Sequence, residues 1–349
     1  METREVNWKA LRQLCQQLMM REGMCEENAY VCADNLVDAD LAGVESHGVS
    51  RMTNYMKRLR TRVVDPCGRP ETQKEYPGSL YIDGKNAMGM VAGHYAMRRC
   101  MEKAKESGCC FAAVHHSNHF GMAAYYTMMA AREGMIGFSA TNAPPNLAPW
   151  GSSQKYMGTN PFSISVPTKK EPITLDMAPS VVAMGKIILA AKLGQKIPEG
   201  WVVDAEGNPC TDPEVGQYGT LLPIGGPKGS GIAIFTEILC GILAGAACGP
   251  HIHHFWKDFE NPQNVGHVFW AVDIEKFCGL SEFLDGIEQM VAEMKGLAKT
   301  PGTTEIFMPG EIENRRRAER RAAGIAMSQS VYEELRILAE QYEVPFTIE

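Results

Sequence analysis

The stretch CFAAVHHSNHFG, residues 110–121, decides the fold class: an apolar run is followed by a loop rich in histidine and then by a glycine. The run predicts a strand at 110–115, and the apolar spacing after the loop predicts a helix at 120–133. A second strand is expected directly afterwards, at 135–140. Strands that alternate with helices are typical of α/β proteins, so we predict an α/β fold with a mixed sheet.

The same alternation extends in both directions from this stretch. Near the start of the chain, Leu11, Cys15 and Leu18 recur at the spacing of an amphipathic helix. Residues 60–78 are rich in proline, glycine and charge, so we interpret them as a connector. The other elements are expected as helices at 7–20, 26–42, 51–59, 89–106, 180–192, 229–247 and 275–297, strands at 80–84, 161–166, 172–176 and 267–273, and two polar helices at the end.

The composition is that of a globular protein of one large or two ordinary domains, with 349 residues of which 45% are hydrophobic. The formal net charge of -7 argues against a nucleic-acid partner, which would require a clustered basic face. The densest basic run, Arg315–Arg317 with Arg320 and Arg321, is interleaved with glutamates at helical spacing. We interpret it as a solvated helix face.

Eleven cysteines occur without a repeating spacing and without a C-x-x-C pair, and the first five residues are polar. We therefore expect free thiols, a cytoplasmic location and no secretory signal. The longest apolar stretch, Ile232 to Cys248, contains Glu237 and several glycines. It is too short and too polar to cross a membrane, so we expect a buried core helix and no membrane partner.

Three loops combine polar side chains with small residues. One is Ser46-His47-Gly48 with Arg51 just after it, the second contains His119, and the third is Gly158-Thr159-Asn160-Pro161. Histidine exchanges protons near neutral pH, and arginine binds carboxylates through paired hydrogen bonds. We place His119 at the start of the helix at 120–133, where the helix dipole would lower its pKa. These residues predict chemistry on a small carboxylic acid without naming the reaction.

The usual dinucleotide fingerprint, G-x-G-x-x-G between a strand and a helix, does not occur in the sequence. The glycine-rich stretch 225–231 opens a helix, and two interpretations stay open: its amides and Lys228 contact a phosphate, or it is a tight turn packed against the sheet. Asp176 ends an apolar strand. It is either a ligand-binding carboxylate or the N-cap of a helix that starts near Ser180.

Two histidine clusters raise the question of a metal site. His251-Ile252-His253-His254 supplies enough imidazoles for zinc, but alternate positions of an extended segment face opposite ways. The cluster His115-His116-Ser117-Asn118-His119 precedes a glycine, a composition that suits a loop approaching a ligand closely. We therefore predict no metal site, and a partly exposed loop at 251–254.

Several short motifs, in this order and spacing, resemble the malate/L-lactate dehydrogenase family, which also includes ureidoglycolate dehydrogenases and 2,3-diketogulonate reductases. Each motif is weak alone, but the resemblance runs over nearly the whole chain. The motifs are Ser46-His47-Gly48-Val49-Ser50-Arg51, Ser117-Asn118-His119-Phe120-Gly121, Asn142-Ala143-Pro144, Gly158-Thr159-Asn160-Pro161, Leu175-Asp176-Met177-Ala178, Ile197-Pro198-Glu199-Gly200-Trp201, Gly226-Pro227-Lys228-Gly229 and Pro309-Gly310-Glu311.

The resemblance implies a cofactor-binding fold distinct from the Rossmann fold, which would explain the missing fingerprint. We accordingly expect a cofactor-binding α/β domain at 79–310 and a smaller, mostly helical substrate and dimer domain formed by 1–78 with 311–349. An intertwined homodimer is also implied. Members of the family move a hydride between a nicotinamide cofactor, NAD or NADP, and C2 of a small 2-hydroxy or 2-oxo acid.

By the same resemblance, His47 and His119 are the candidates for the proton-transferring residue, and Arg51 is expected to hold the substrate carboxylate. Ser46 is expected in the substrate pocket, as are Thr159 and Asn160 beside the nicotinamide. The residues expected to contact the dinucleotide are His119, Asn142, Thr159, Asp176, Met177, Ala178, Lys228, Gly229, Pro309, Gly310 and Glu311.

Two stretches depart from the family pattern. Residues 249–257 match no family motif, so the choice of substrate is expected to differ from that of named members if this segment borders the site. Where some members carry a lysine ahead of Asn142, this chain reads Ser139-Ala140-Thr141.

The favoured reaction is reversible oxidation of an (S)-type 2-hydroxy acid to its 2-oxo acid. Three alternatives stay open: a reductase of cyclic imine carboxylates, a metal-dependent hydrolase or lyase built on the histidine clusters, and a catalytically silent relative that binds the cofactor. The sequence names neither the acid nor the choice between NAD and NADP.

Overall fold

The computed structural model describes residues 3–348. Its helices are α1 (Trp8–Arg21), α2 (Glu26–Ala42), α3 (Met52–Arg60), α4 (Gly89–Ser107), α5 (Ala124–Arg132), α6 (Met184–Lys192), α7 (Pro213–Gly216), α8 (Pro227–Glu237), α9 (Leu280–Lys295), α10 (Glu311–Ala323) and α11 (Gln329–Gln341). Its strands are β1 (Thr3–Val6), β2 (Glu71–Tyr76), β3 (Ser79–Asp83), β4 (Cys109–Ser117), β5 (Met135–Thr141), β6 (Phe162–Val166), β7 (Ile173–Met177), β8 (Val202–Val203), β9 (Thr220–Leu221), β10 (Val265–Asp273) and β11 (Ile325–Ser328).

A seven-stranded sheet in the order β2-β3-β4-β10-β5-β6-β7 organises the structure. Among its described strands, β3 and β4 run parallel, and the other neighbours run antiparallel. Of the seven strands in this sheet, β10 comes last along the chain. It nevertheless lies in the middle of the sheet, paired with β4 on one side and β5 on the other. This mixed sheet confirms the predicted fold class.

The helices α4 and α5 cover one face of the sheet. Buried side chains of three strands, Ile82, Val114 and Phe269, pack there against Met97 of α4 and Tyr126 of α5. Strands buried in this way need a nearly continuous apolar sequence, which is why the run at 110–114 indicates a strand so clearly.

The opposite face of the sheet is covered only in part. Cys240 and Ala244 pack on Ala113, Ala140 and Val268. Beyond this contact, five apolar side chains from directly paired positions of neighbouring strands form a row that is at least partly exposed. They are Phe111, Trp270, Phe138, Ile164 and Leu175.

The expectation of a buried core helix over Ile232 to Cys248 was wrong. The helix α8 ends at Glu237 and continues as a π-helical segment, Ile238–Leu243. Several of its large apolar side chains face outward, among them Phe235 at 67% exposure and Ile242 at 71%. An apolar sequence does not reveal whether the surface that covers it belongs to the same chain. Here the described residues leave these side chains uncovered.

The two ends of the chain pack together against α1, α2 and α3. Strands β1 and β11 pair, and a buried cluster includes Leu18 and Leu36 together with Leu335 of α11. Arg317 of α10 donates to the carboxylate of Asp38 on α2 through Nε at 3.1 Å and through a terminal nitrogen at 3.0 Å. The division into domains at 1–78 with 311–349 and at 79–310 stays a prediction; residues 1, 2 and 349 lie outside the described residues.

A separate small cluster surrounds the pair β8–β9, with Leu147, Ile187, Val202 and Leu221 in its interior.

Most expected elements are present, with four shifts. The predicted connector at 60–78 contains the edge strand β2, whose mostly exposed, charged side chains give no apolar pattern. The helix expected from 120 begins at Ala124, that expected from 180 begins at Met184, and that expected from 275 begins at Leu280. A turn precedes α5, irregular residues with an isolated β-bridge at Ser180 precede α6, and a short 3-10 segment with a turn precedes α9.

The eleven cysteines are free thiols, as expected. Within residues 3–348, no helix is both long enough and apolar enough to cross a membrane.

Candidate active site

The loop after α2 is fixed by a carboxylate from that helix. Asp40 accepts a hydrogen bond from the backbone N–H of Val49 at 2.9 Å. Only glycine fits at position 48, since a Cβ there would lie 1.9 Å from Asp40 Oδ1. This contact holds His47 and Arg51 on either side of it. Arg51 Nε also donates to the carbonyl of Ser46, and the hydroxyl of Ser46 lies 3.0 Å from His47 Nδ1.

The loop after β4 is fixed in a similar way. Gly121 has a positive φ of 77°, and a Cβ there would lie 2.0 Å from Asn35 Oδ1. The backbone N–H of His119 donates to Gln263 Oε1 at 2.9 Å. His119 Nδ1 lies 2.5 Å from the hydroxyl of Tyr55 on α3 and also accepts from the N–H of Gly121 at 3.3 Å. The imidazole of His119 is therefore oriented by three parts of the chain.

The two loops meet in one cleft. The rings of His47 and His119 stack with their centroids 5.7 Å apart and their planes 23° apart. Arg51, His47 and His119 are each half-buried, so they are surrounded by protein but still reached by solvent. The structure thus brings the three predicted catalytic residues together, and their roles stay a prediction.

The cleft holds both histidines in the neutral form. Burial, with Arg51 as the next cause, lowers the pKa of His47 from 6.5 to about 3. Burial lowers the pKa of His119 well below its usual value, and the positive charge of Arg51 adds to the effect. A neutral imidazole can accept a proton at neutral pH.

The sequence-based reason for the low pKa of His119 was wrong. The helix α5 begins at Ala124, so His119 does not lie in its first turn and the helix dipole is not the cause.

The residues expected to contact the dinucleotide gather at two places, the first being around β7 and the turn that follows it. The backbone N–H of Thr174 donates to the carbonyl of Pro309 at 2.9 Å, which brings Gly310 and Glu311 beside this strand. The backbone of Ile224 donates to Pro179 at 2.9 Å, which places Lys228 and Gly229 next to residues 176–178.

Asp176 contacts the start of α5 and not the helix that follows it in sequence. Its carboxylate accepts from the backbone N–H of Ala124 at 2.8 Å, at the start of α5. The helix that follows Asp176 in sequence begins only at Met184. The interpretation as an N-cap for a helix near Ser180 was therefore wrong.

The amides of the glycine-rich turn are already used. The N–H groups of Lys228, Gly229 and Ser230 donate to backbone carbonyls of Gly225, Ile224 and Gly226, respectively. This favours the tight-turn interpretation for the backbone. The exposed ammonium of Lys228 is then the group of this turn that suits a phosphate.

The second gathering place surrounds Glu237, a buried carboxylate that the sequence analysis did not single out. Its oxygens lie 2.7 Å from Asn160 Nδ2 and 3.4 Å from Asn142 Nδ2, and they accept from the N–H of Gly249 at 2.7 Å. Asn142 and Asn160 are thus engaged inside the protein. Thr159, between them and the solvent, is half-buried.

The polar groups at these two places fit a nicotinamide dinucleotide. A carboxylate at Asp176 suits ribose hydroxyls, an ammonium at Lys228 suits a phosphate, and the half-buried hydroxyl of Thr159 suits a carboxamide or substrate oxygen. The start of β10 and the residues just before it connect them to the cleft: Gln263 accepts from the N–H of His119, and Gly266 exchanges two hydrogen bonds with Asn142.

The two histidine clusters differ in whether their side chains come together as possible metal ligands. His253 Nδ1 lies 2.6 Å from Asp258, and residues 251–254 form no group of metal ligands within the part of the chain described. His115 and His116 lie with Asp83 as a group whose donor atoms are within 4.8 Å of one another. Asp83 also bonds to Lys85 and Gln73 there.

Sequence reasoning also missed Tyr55, Phe255 and Gln263, which contact His119. One signal for Tyr55 was present. Arg51, Asn54, Tyr55 and Arg58 follow the spacing i, i+3, i+4, i+7, which places polar and aromatic groups on one helix face. Gln263 has no comparable local signal.

Residues 6–336 match the family described as malate/L-lactate dehydrogenase. The chain belongs to that family. It is 39% identical over 335 residues to the malate dehydrogenase of Pyrococcus horikoshii, covering 94% of this chain and 92% of that one. It is 37% identical over 327 residues to the L-sulfolactate dehydrogenase of Methanocaldococcus jannaschii, covering 93% of each. The predicted resemblance is confirmed.

Solved structures agree. The malate dehydrogenase of Entamoeba histolytica superimposes with a TM-score of 0.95 at 30% identity, covering 99% of this chain and 100% of that one. The delta1-piperideine-2-carboxylate reductase of Pseudomonas syringae pvar. tomato superimposes with a TM-score of 0.87 at 28% identity, covering 97% and 100%.

Two further family members are named with their cofactors. The NAD(+)-dependent ureidoglycolate dehydrogenase of Escherichia coli is 29% identical over 332 residues, which cover 95% of each chain. The NADP(+)-dependent (2R)-3-sulfolactate dehydrogenase of Chromohalobacter salexigens is 33% identical over 322 residues, which cover 91% of this chain and 92% of that one. The homologues are thus NAD(P)-dependent dehydrogenases, and these relatives give no support to a hydrolase.

The low pKa values of the two histidines predict a missing titration. In the folded protein we expect neither ring of His47 and His119 to gain a proton between roughly pH 5 and 8, whereas model imidazoles titrate near pH 6.5. Nitrogen-15 NMR of the imidazoles would show this, with signals assigned from His47→Gln and His119→Gln. The chain unfolded in urea is the control and should titrate normally. Midpoints near 6.5 for both rings in the folded protein would contradict the prediction.

Proposed function

We propose that this protein transfers a hydride between NAD or NADP and C2 of a small 2-hydroxy or 2-oxo acid, with malate and similar acids as the first candidates. The observation that carries the proposal is the convergence of Arg51 with two neutral histidines in one cleft. The relatives with malate and sulfolactate in their names support a small acid with a second anionic group.

Arg51 is the group expected to hold the substrate carboxylate. Its Nε is engaged by the carbonyl of Ser46, which leaves the two terminal nitrogens of the guanidinium for the acid. Such a fork binds a carboxylate through two parallel hydrogen bonds and fixes the orientation of C2. Burial is the main reason that both histidines are neutral, and the same positive charge adds to it, so Arg51 contributes both to acid binding and to the protonation state of the histidines.

The hydrogen bonds of the two histidines suggest different tasks. A backbone N–H can only donate, so the contact from Gly121 makes Nδ1 of His119 an acceptor and leaves the proton of the neutral ring on Nε2. His119 would then donate Nε2–H to the substrate oxygen. His47 Nδ1 faces the hydroxyl of Ser46, which can donate or accept, so Nε2 of His47 is free to take the hydroxyl proton.

In the oxidation direction, His47 would take the proton from the C2 hydroxyl while His119 stabilises the oxygen with a hydrogen bond. The bound nicotinamide would supply the hydride acceptor. Tyr55, whose hydroxyl contacts Nδ1 of His119, would keep that ring in place. In the reduction direction the protonated His47 would return the proton to the carbonyl oxygen. Acid–base assistance of this kind contributes roughly 10²–10⁴-fold to the rate.

The exposed apolar row of the sheet, together with Phe235 and Ile242, supports a homodimer. Contiguous apolar surface of this kind is uncommon on monomers and marks contacts with other chains. We propose that a second copy of this chain covers it, and the mass in solution tests this. The free thiols support a cytoplasmic location.

A reductase of cyclic imine carboxylates is the second candidate, favoured by the superposition with the piperideine-carboxylate reductase. The same Arg51 clamp would suit its substrate, since that too is a carboxylate at C2.

A substrate panel tests the proposal. We expect oxidation of NADH or NADPH, followed by absorbance, with at least one of oxaloacetate, pyruvate, 3-sulfopyruvate and oxalurate. Activity confined to a cyclic imine carboxylate would support the second candidate instead. Binding of neither cofactor, together with silence across the panel, would overturn both.

The two histidine roles predict different responses to glutamine, which supplies an N–H donor but no proton-accepting nitrogen. We expect His119→Gln to keep at least about a tenth of kcat, and His119→Ala to lose about 10²-fold or more. Both His47→Gln and His47→Ala should lose about 10²–10⁴-fold. Cofactor affinity, measured by fluorescence, is the folding control and should change little. A His47→Gln enzyme more active than His119→Gln would reverse the assignment.

A further inference from the structure

The segment 249–259, here called the aromatic loop, includes the residues 249–257 that match no family motif, and it borders the candidate active site. Phe255 is buried and its ring packs against those of His119 and Tyr55, with ring centroids 4.9 Å and 5.2 Å away. Trp256 follows it, 48% exposed, with its ring centroid 5.0 Å from Cζ of Arg51. The loop therefore supplies an aromatic wall beside both the acid-binding and the proton-transferring candidates.

The aromatic loop is held at both ends. At its start, the N–H of Gly249 donates to the buried carboxylate of Glu237 at 2.7 Å. At its end, the carboxylate of Asp258 accepts from the backbone N–H groups of Glu260 and Asn261 at 3.0 and 2.9 Å. These bonds fix the path of the loop from α8 to the start of β10.

The middle of the loop is held by one face of α3. Asn54 Nδ2 donates to the carbonyl of Phe255 at 3.0 Å, and Arg58 donates to the same carbonyl at 3.2 Å and to that of Asp258 at 2.8 Å. Arg58 is fully buried, so its hold does not depend on solvent-exposed contacts. Trp256 is thus carried by a backbone with buried supports on either side.

Trp256 occupies one face of the guanidinium that the substrate carboxylate would use. A cation–π contact of this kind leaves the N–H edge of the guanidinium free for an acid and fixes the ring beside it. When the carboxylate is bound to Arg51 and the C2 oxygen lies at the histidines, the substituent carried by C2 must fit beside the aromatic wall that Trp256 forms next to Arg51.

We propose that Trp256 is a specificity-determining residue that limits the length of the substituent at C2 of the substrate. This inference rests on the proposed function. The indole admits substituents up to the CH2–carboxylate of a four-carbon diacid and rejects the homologue that is longer by one methylene. A difference of one methylene changes kcat/KM by roughly 10–200-fold when a wall of the pocket reads it.

The test compares oxaloacetate with 2-oxoglutarate, which is longer by one methylene, in the wild type, Trp256→Ala and Trp256→Leu. We expect the wild type to prefer oxaloacetate. In Trp256→Ala, the ratio of kcat/KM for the longer acid to that for the shorter should rise at least about tenfold. If the substitution also weakened the positioning of Arg51, KM would rise for both acids, and this effect would cancel in the ratio.

The matched control is Phe277→Ala, which removes an aromatic ring 70% exposed and outside the site, and should leave this ratio unchanged. If Trp256→Ala is inactive, the ratio in Trp256→Leu decides. A wild type that accepts oxaloacetate and 2-oxoglutarate equally, or an unchanged ratio in the variants, would overturn the inference while the proposed function stands. A wild type inert toward every 2-oxo acid would overturn both.

Discussion

Four side chains on one face of α3 and the turn before it hold the candidate active site together. Arg51 is the residue proposed to hold the substrate acid, Tyr55 contacts His119, and Asn54 and Arg58 donate to the carbonyl of Phe255. The hydrogen bond between Tyr55 and His119 joins positions 64 residues apart. The distance between Asn54 and Phe255 along the chain is 201 residues. A single rigid helix therefore sets the geometry of three separate loops.

The electrostatics of the cleft follow from the same arrangement. Arg51 carries the positive charge that an anionic substrate needs, and this charge also disfavours protonation of His47 and His119. Burial acts in the same direction, since removing the rings from water penalises their charged form. The free enzyme thus presents a cation and two neutral imidazoles. A bound carboxylate would compensate the charge of Arg51, so proton transfer becomes easier once the substrate is in place.

Much of this could be predicted from the sequence where the signal was local. The apolar run at 110–114 predicted β4, and the pairing of histidine with arginine near position 50 predicted an acid-binding loop. Gly48 and Gly121 are required because side chains from α2 fill the space where a Cβ would lie. Those close contacts explain why a glycine follows each of His47 and His119 within two residues.

What could not be predicted depends on contacts between distant parts of the chain. The low pKa of His119 comes from burial and from Arg51, not from the helix that follows it. Asp176 caps α5, which precedes it by more than forty residues, rather than the helix after it. The outer face of α8 is apolar without being covered by the described residues, because its sequence carries no information on which chain covers it. The spacing of Asn54 and Arg58 places them on one helix face, but nothing in the local sequence shows that they hold a distant loop.

The central claim is that this cleft transfers hydride directly between the nicotinamide and C2 of the acid while a histidine moves the proton. The most direct measurement uses reduced cofactor with two deuterium atoms at C4 of the nicotinamide, incubated with the acid that the substrate panel selects. The account predicts one deuterium at C2 of the hydroxy acid product, seen by mass spectrometry, and a solvent proton on its oxygen. A product with no deuterium at C2 would contradict it.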